Sequence, residues 1–217
     1  MRYGVLGTGD VGRTLADALV KLGHEVRMGS RDRENPRALA WAAAAGQGAD
    51  CGTFAEAAAF GDAVISAVGG RVTLSALASA GEDALADKLL IDVSNPLAFE
   101  EGRLRLSPVE SDSVGEQIQR AFPRAHVVKS LNTVNCAVMV DPASVPGEHQ
   151  VYVCGNDDAA KAQARALLAE LGWPPTRVLD LGGIEASRAV EMLLPLWFTL
   201  FQKFGDGAFN FEVRRGH

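Results

Sequence analysis

A chain of 217 residues with 47% hydrophobic content is long enough to bury a sizeable core, as one large or two small domains. Its 21 Lys and Arg stand against 27 Asp and Glu for a formal charge of −6, without the basic stripe that a nucleic-acid binder needs. No run of about 18 apolar residues is available to span a membrane, and a strand begins directly after Met1 with no signal peptide, so a cytoplasmic protein with neither nucleic-acid nor membrane partners is expected.

Residues 2–6 form a short apolar strand that runs into Gly7-Thr8-Gly9-Asp10-Val11-Gly12, and 11–22 reads as a helix with Leu15, Leu19 and Leu22 on its buried stripe. Strand, glycine turn and helix in this order make a dinucleotide fingerprint. Gly7 permits the tight turn, Gly9 lets the backbone approach a pyrophosphate, and Gly12 packs helix on strand, while the helix start offers free N–H groups and a positive dipole end. Gly23 ends the helix and 24–28 is a second strand.

An NAD-specific site places a carboxylate at the end of that second strand. Here the chain has Gly29-Ser30-Arg31 instead. The Ser30 hydroxyl can donate to a 2′-phosphate, and the Arg31 guanidinium can pair with it and stack on the adenine, so NADP(H) is the expected cofactor. An ordinary solvated surface charge is the competing account of Arg31.

Asn35-Pro36 opens a helix over 37–45, followed by a strand at 49–53, a helix at 54–60 and a continuous apolar strand at 63–68 that ends in Gly69-Gly70. A crossover helix at 73–80 leads to a strand at 89–93, stopping at Ser94-Asn95-Pro96, then a loop through Pro108, an amphipathic helix at 114–122 and a strand at 126–131. This alternation specifies an α/β fold: a doubly wound parallel sheet with right-handed crossovers, the Rossmann NAD(P)-binding fold, with ligands beyond the strand carboxyl ends. The remainder gives a strand at 150–154, a helix at 157–171, a strand at 178–181 and an apolar helix over 186–204 in which Pro195 makes a kink or starts a second half. We therefore expect a dinucleotide domain at 1–137 and a smaller C-terminal α/β lobe at 138–217. The last helix carries more large apolar groups than a small lobe can bury alone, which fits a homodimer interface or internal core.

Cys51, Cys136 and Cys154 are scattered singly and the four His are isolated, so no metal site and no disulfide framework is expected. The strand ends offer Ser66-Ala67-Val68-Gly69, Ser94-Asn95-Pro96 and Leu131-Asn132-Thr133-Val134-Asn135, three loops that converge around a nicotinamide. None carries a Ser-Tyr-x-x-x-Lys set, a His-Asp pair or a carboxylate dyad for proton transfer. Hydride passing between two planar cofactors needs no such group, only stacking, orientation and water exclusion. Asn132, Thr133 and Asn135 suit a carboxamide or flavin-type ring and suit equally the cap of a following helix. Lys129 is structural or a general acid.

These residues carry a family resemblance. Gly7-Thr8-Gly9-Asp10-Val11-Gly12, Gly29-Ser30-Arg31-Asp32, Val127-Val128-Lys129-Ser130-Leu131-Asn132-Thr133 and Val153-Cys154-Gly155-Asn156-Asp157-Asp158 resemble the coenzyme F420-dependent NADP oxidoreductase family over nearly the whole chain. Gly29-Ser30-Arg31, Asp92-Val93-Ser94-Asn95 and Asn132-Thr133 are also similar to the cytosolic NADPH domain of the six-transmembrane metalloreductases. The resemblance implies NADPH held by Thr8, Gly9, Asp10, Val11, Ser30 and Arg31, a nicotinamide near Ala67 and Cys136-Ala137, and a dimer that closes the second-ligand site. Where the deazaflavin enzymes carry His-Thr followed by Ile-Pro, this chain has Asn132-Thr133-Val134-Asn135, so the resemblance does not name the electron acceptor.

The expected activity is hydride transfer between NADP(H) and a deazaflavin (F420) or a flavin, FMN or FAD, with Asn95, Asn132 and Thr133 at the reacting rings and Ser66, Ala67, Val68, Cys136 and Ala137 around the nicotinamide. Two alternatives remain: NADPH-dependent reduction of a small imine or carbonyl, with Lys129, Ser94 or water handling the proton, and a non-catalytic NADP-sensing module.

Overall fold

The computed structural model describes residues 1–100 and 103–216. Residues 101, 102 and 217, which belong to the expected loop and to the end of the smaller lobe, lie outside the described residues.

The first half is β1 (Arg2–Leu6), α1 (Asp10–Lys21), β2 (Glu25–Ser30), α2 (Pro36–Ala45), β3 (Ala49–Thr53), α3 (Phe54–Phe60), β4 (Ala63–Ser66), α4 (Gly70–Ala80), α5 (Glu82–Leu85) and β5 (Leu89–Asp92). Then come β6 (Leu97–Glu100), β7 (Arg103–Leu106), α6 (Val114–Ala121), β8 (His126–Ser130), α7 (Cys136–Val140), β9 (Val151–Gly155), α8 (Asp158–Glu170), β10 (Val178–Asp180), α9 (Ser187–Met192) and α10 (Leu194–Phe204).

The main sheet runs in the order β10-β9-β8-β5-β4-β1-β2-β3. Strands β1 to β5 and β8 are mutually parallel, so Leu6, Ser30, Ser66, Asp92 and Ser130 all end at one edge. The chain leaves β1 toward β2 and β3 on one side and returns to β4, β5 and β8 on the other, which puts the topological switch point between β1 and β4. Such a switch opens a crevice at the carboxyl edge because the two following loops diverge.

Strands buried on both faces read as continuous apolar runs, and β4, Ala-Val-Ile-Ser, is buried throughout. Val5, Met28, Ile65, Ile91 and Val128 face α1, α2, α7 and α8, whereas Leu6, Val64, Leu90 and Val127 face α3 to α6. The expected smaller lobe adds β9 and β10 to this same sheet, with β9 antiparallel to β8 and β10 parallel to β9.

Several local features depart from the expected elements: β4 ends at Ser66 and not at 68, α4 starts at Gly70 and not at 73, and α5 falls where no element is expected. The segment after Pro96 contains the antiparallel β6–β7 ribbon rather than loop alone. The second strand extends through Ser30, which makes Ser30 its last residue. The final helix divides at Leu193, with Pro195 in the first turn of α10, where its missing N–H is not needed. Among the described residues no helix is long and apolar enough to cross a membrane, and no group of three or more His, Cys, Asp or Glu could hold a metal ion.

Candidate active site

At the switch point lies a cavity of about 490 Å³ walled by Gly7, Thr8 and Gly9 after β1, Gly29, Ser30 and Arg31 at the end of β2, and Ala67, Val68 and Gly69 after β4. The three glycines of the fingerprint have separable duties. Gly7 sits at φ 127°, and a Cβ there would meet the Ala67 carbonyl oxygen at 2.6 Å. A Cβ on Gly12 would lie 2.2 Å from the Gly7 carbonyl oxygen, so Gly12 lets α1 press onto β1. Gly9 has ordinary φ −78°, and a Cβ on it would meet nothing within 4 Å. As N-cap of α1 it supplies no side-chain acceptor, so the first-turn amides stay available at the positive end of a 12-residue helix. Open space beside free amides is what a diphosphate needs.

Ser30 and Arg31 stand at the other wall. Ser30 is buried and its hydroxyl donates to the Asp32 carbonyl, so its proton is already engaged. Arg31 is exposed and has no ion-pair partner among the described residues, whereas nearby Arg33 is paired with Glu56. Asp32 faces its own turn, accepting from the Glu34 amide at 3.0 Å. The cavity is closed by groups that the sequence did not mark: Asn35, Phe54, and Val72, Ser75 and Ser79 along one side of α4. Residues three and four apart on a helix share a face, a signal that was available but points to no particular ligand.

Asp10, Val11 and Gly12 do not wall this cavity; Asp10 is exposed and pairs with Arg13 at 2.8 Å. Ser66 is fully buried beneath it, its hydroxyl without a hydrogen-bond partner among the described residues, as is that of Ser94.

Asn95 and Asn132 form a second cluster beside the cavity. The Asn132 side-chain amide donates to Asn95 Oδ1 at 3.0 Å, and the Asn95 amide donates to the Asn132 carbonyl at 2.8 Å. The Asn95 carbonyl accepts from the Gly70 amide at 3.2 Å, tying this pair to the glycine turn on the cavity rim. Thr133 is buried, Cys136 is half-buried and Ala137 is exposed. Asn135 caps α7, its side chain accepting from the Ala137 amide at 3.0 Å.

Beneath that pair lies a charged network. Lys129 Nζ is completely buried and donates to Asp92 Oδ2 at 2.7 Å, to the Ser94 carbonyl at 2.6 Å and to Glu191 Oε1 at 2.7 Å. Its three N–H groups are thereby used, so Lys129 has no proton donor left for a substrate. Burial alone would lower the Lys129 pKa, but Asp92 and Glu191 hold it above the ordinary lysine value. Burial pushes the Glu191 carboxyl up, against the opposing pull of Lys129 and the Val114 amide. Asp92 stands in sequence at a strand end and in the Asp92-Val93-Ser94-Asn95 stretch that carries the second resemblance, and Glu191 as one polar position in an apolar helix, but neither signal joins them to Lys129.

A family model for coenzyme F420-dependent NADP oxidoreductase matches residues 2–96. The F420-dependent NADP reductase of Methanocaldococcus jannaschii is 30% identical over 94% of this chain and 94% of its own length. A crystal structure named for a candidate F420-dependent NADP-reductase from Arthrobacter sp. FB24 superposes with a TM-score of 0.93 at 46% identity, covering 99% of this chain and 100% of that one. Rat metalloreductase STEAP3 is 34% identical over 90% of this chain, which spans 38% of the length of that protein. With a relative 30% identical over 94% of both chains and a fold that superposes over the full length of a solved structure, the protein belongs to the coenzyme F420-dependent NADP oxidoreductase family and is an NADP-dependent oxidoreductase.

Proposed function

We propose that the protein transfers a hydride between NADP(H) and a deazaflavin or flavin ring. The observation that carries this is a cavity that has free α1 amides and open space at Gly9 on one wall and, on another, Arg31, which has no ion-pair partner among the described residues. An anionic diphosphate suits the first and a 2′-phosphate the second. Thr8 and Gly9 hold the diphosphate together with the backbone amides of Asp10 and Val11 at the cavity's edge, while Arg31 is the charged donor to the phosphorylated ribose and Ser30, its proton engaged by the Asp32 carbonyl, shapes that wall.

A cofactor whose adenosine half is held at the end of β2 would have its nicotinamide half across the switch point, at the ends of β4, β5 and β8. Ser66, Ala67 and Val68 back the nicotinamide, Cys136 and Ala137 edge it, and Asn95, Asn132 and Thr133 fix the ring and its acceptor. NADPH, when bound, supplies the hydride. The protein's part is orientation and exclusion of water, which suits a site whose one buried lysine has no proton to give. Residues 138–217 complete the acceptor site, and two copies pair through α10, whose Leu196 and Phe204 are 50% and 59% exposed. Mixing the purified protein with NADPH and, in turn, oxidised F420, FMN and FAD tests this. Loss of NADPH absorbance with one of them is expected, and no change with all three would contradict the proposal.

A further inference from the structure

The Asn95–Asn132 pair is fastened from outside the dinucleotide half of the fold, by α9. Asn132 Nδ2 donates to the Val190 carbonyl at 3.1 Å as well as to Asn95. The next residue of α9, Glu191, takes Lys129 on one oxygen, and its carboxylate also accepts from the Val114 and Gly115 amides at 2.9 and 3.2 Å. Lys129 in turn holds Asp92 and the Ser94 carbonyl, the residue before Asn95, and Asp92 accepts from the Ser94 amide at 3.1 Å. Glu191 therefore sits where β8, the β5 turn and the start of α6 meet.

Three features say that this arrangement serves geometry more than stability. Burying one ammonium and two carboxylates costs desolvation that apolar residues of similar volume would avoid. Leu131, directly before Asn132, is buried and holds φ 61°, a conformation that a branched side chain keeps only when its surroundings impose it. And α9 lies against α6 closely enough that a Cβ on Gly115 would come 2.4 Å from Ser187 Oγ, so α9 has little freedom to shift.

Resting on the reading that the Asn95–Asn132 pair faces the nicotinamide, we propose that Glu191 is a positioning residue for that half of the cofactor, acting through Lys129 on the β5 turn and, with Val190, on Asn132. It touches neither the cofactor nor the reacting atoms. Its contribution belongs to the nicotinamide half alone, since the diphosphate and adenosine walls of the cavity are built from β1, β2 and α4.

The test compares calorimetric affinities for NADPH and for adenosine 2′,5′-bisphosphate, which lacks the nicotinamide, in the wild type, Glu191→Gln and Glu191→Asp. Gln presents an N–H₂ where two donors now converge, and Asp keeps the charge but draws it back by one methylene. The wild type is expected to bind NADPH more tightly than the bisphosphate. In Glu191→Gln that advantage should fall about fivefold or more, the worth of one net hydrogen bond, while bisphosphate affinity stays within about twofold. Glu191→Asp should lie between. An undiminished NADPH advantage in both variants, or parallel loss of both ligands, would overturn the positioning role. So would loss of fold in both variants, which would make Glu191 a requirement of the fold. A wild type that binds both ligands equally would overturn the placement of the nicotinamide and this role with it, whereas a wild type that binds neither would overturn the cofactor site itself.

Discussion

At the scale of single residues, the glycines of the first turn divide into those that serve packing and one that leaves room. A methyl on Gly12 would collide with the Gly7 carbonyl, a contact in backbone that cannot swing away. Gly12→Ala should therefore cost about 1–3 kcal/mol of stability, read from denaturant unfolding. Gly9→Ala meets no neighbouring atom and keeps an allowed φ, so its stability should stay within about 1 kcal/mol of wild type. The same methyl would stand where the diphosphate docks, and NADPH affinity should fall about tenfold or more. Normal affinity in Gly9→Ala would remove the diphosphate from that turn. At the second wall the structure shifts weight between the two residues marked in the sequence. The Ser30 hydroxyl donates to the Asp32 backbone carbonyl, and Arg31 has no ion-pair partner among the described residues, so Arg31→Ala alone should weaken NADPH binding by about 1.5–3 kcal/mol and leave NADH binding unchanged. Ser30→Ala should add little to it.

Among elements, the strands were legible because those buried on both faces read as unbroken apolar runs, and the helices because caps such as Asn35, Thr53 and Asp157 mark their starts. The β6–β7 ribbon was not, since its Leu and Arg alternation is short and lies between turn residues. The cavity's glycine and arginine walls were visible as local motifs, whereas the Lys129–Asp92–Glu191 network joins residues 37 and 62 apart in the chain from three elements. A lone lysine in a strand carries no local trace of its partners. Lys129→Met would leave Asp92 and Glu191 buried without their counter-charge, and a loss of about 3–5 kcal/mol is expected. A loss below about 1 kcal/mol would mean that the network does not bind these elements together. The α6–α9 contact is also clamped by Arg188, which donates to Glu116 at 2.7 Å and, by that hydrogen bond, holds the carboxyl below its ordinary value against the opposing effect of burial. A depressed carboxyl stabilises the fold above its unfolded pKa and ceases to do so as pH falls through the folded value. The stability gap between wild type and Arg188→Ala should accordingly be full at pH 7 and close below about pH 4. A gap that is constant with pH would contradict the pairing.

Over the whole molecule, the sheet is continuous from β3 to β10, and what stands apart is α10. Of its side chains only Leu194 is buried, while Trp197 stacks on Phe201 at 5.3 Å between ring centroids and Leu196 and Phe204 face outward. Replacing Leu196 and Phe204 by Glu should leave the far-ultraviolet circular dichroism intact and halve the mass found by sedimentation if two copies meet there. A wild type that sediments as a monomer at micromolar concentration would remove that interface. The composition signalled this surface through its density of large apolar groups, but whether they fill a core or face outward depends on how far the sheet extends over them, which no local pattern states. Every assignment along the cleft follows from a phosphorylated adenosine seated between Arg31 and the start of α1, so the most direct measurement is calorimetric titration of the wild type with NADPH and NADH side by side. NADPH should bind at least about tenfold more tightly, the worth of one charged hydrogen-bonded pair. Equal affinity, or a preference for NADH, would contradict it.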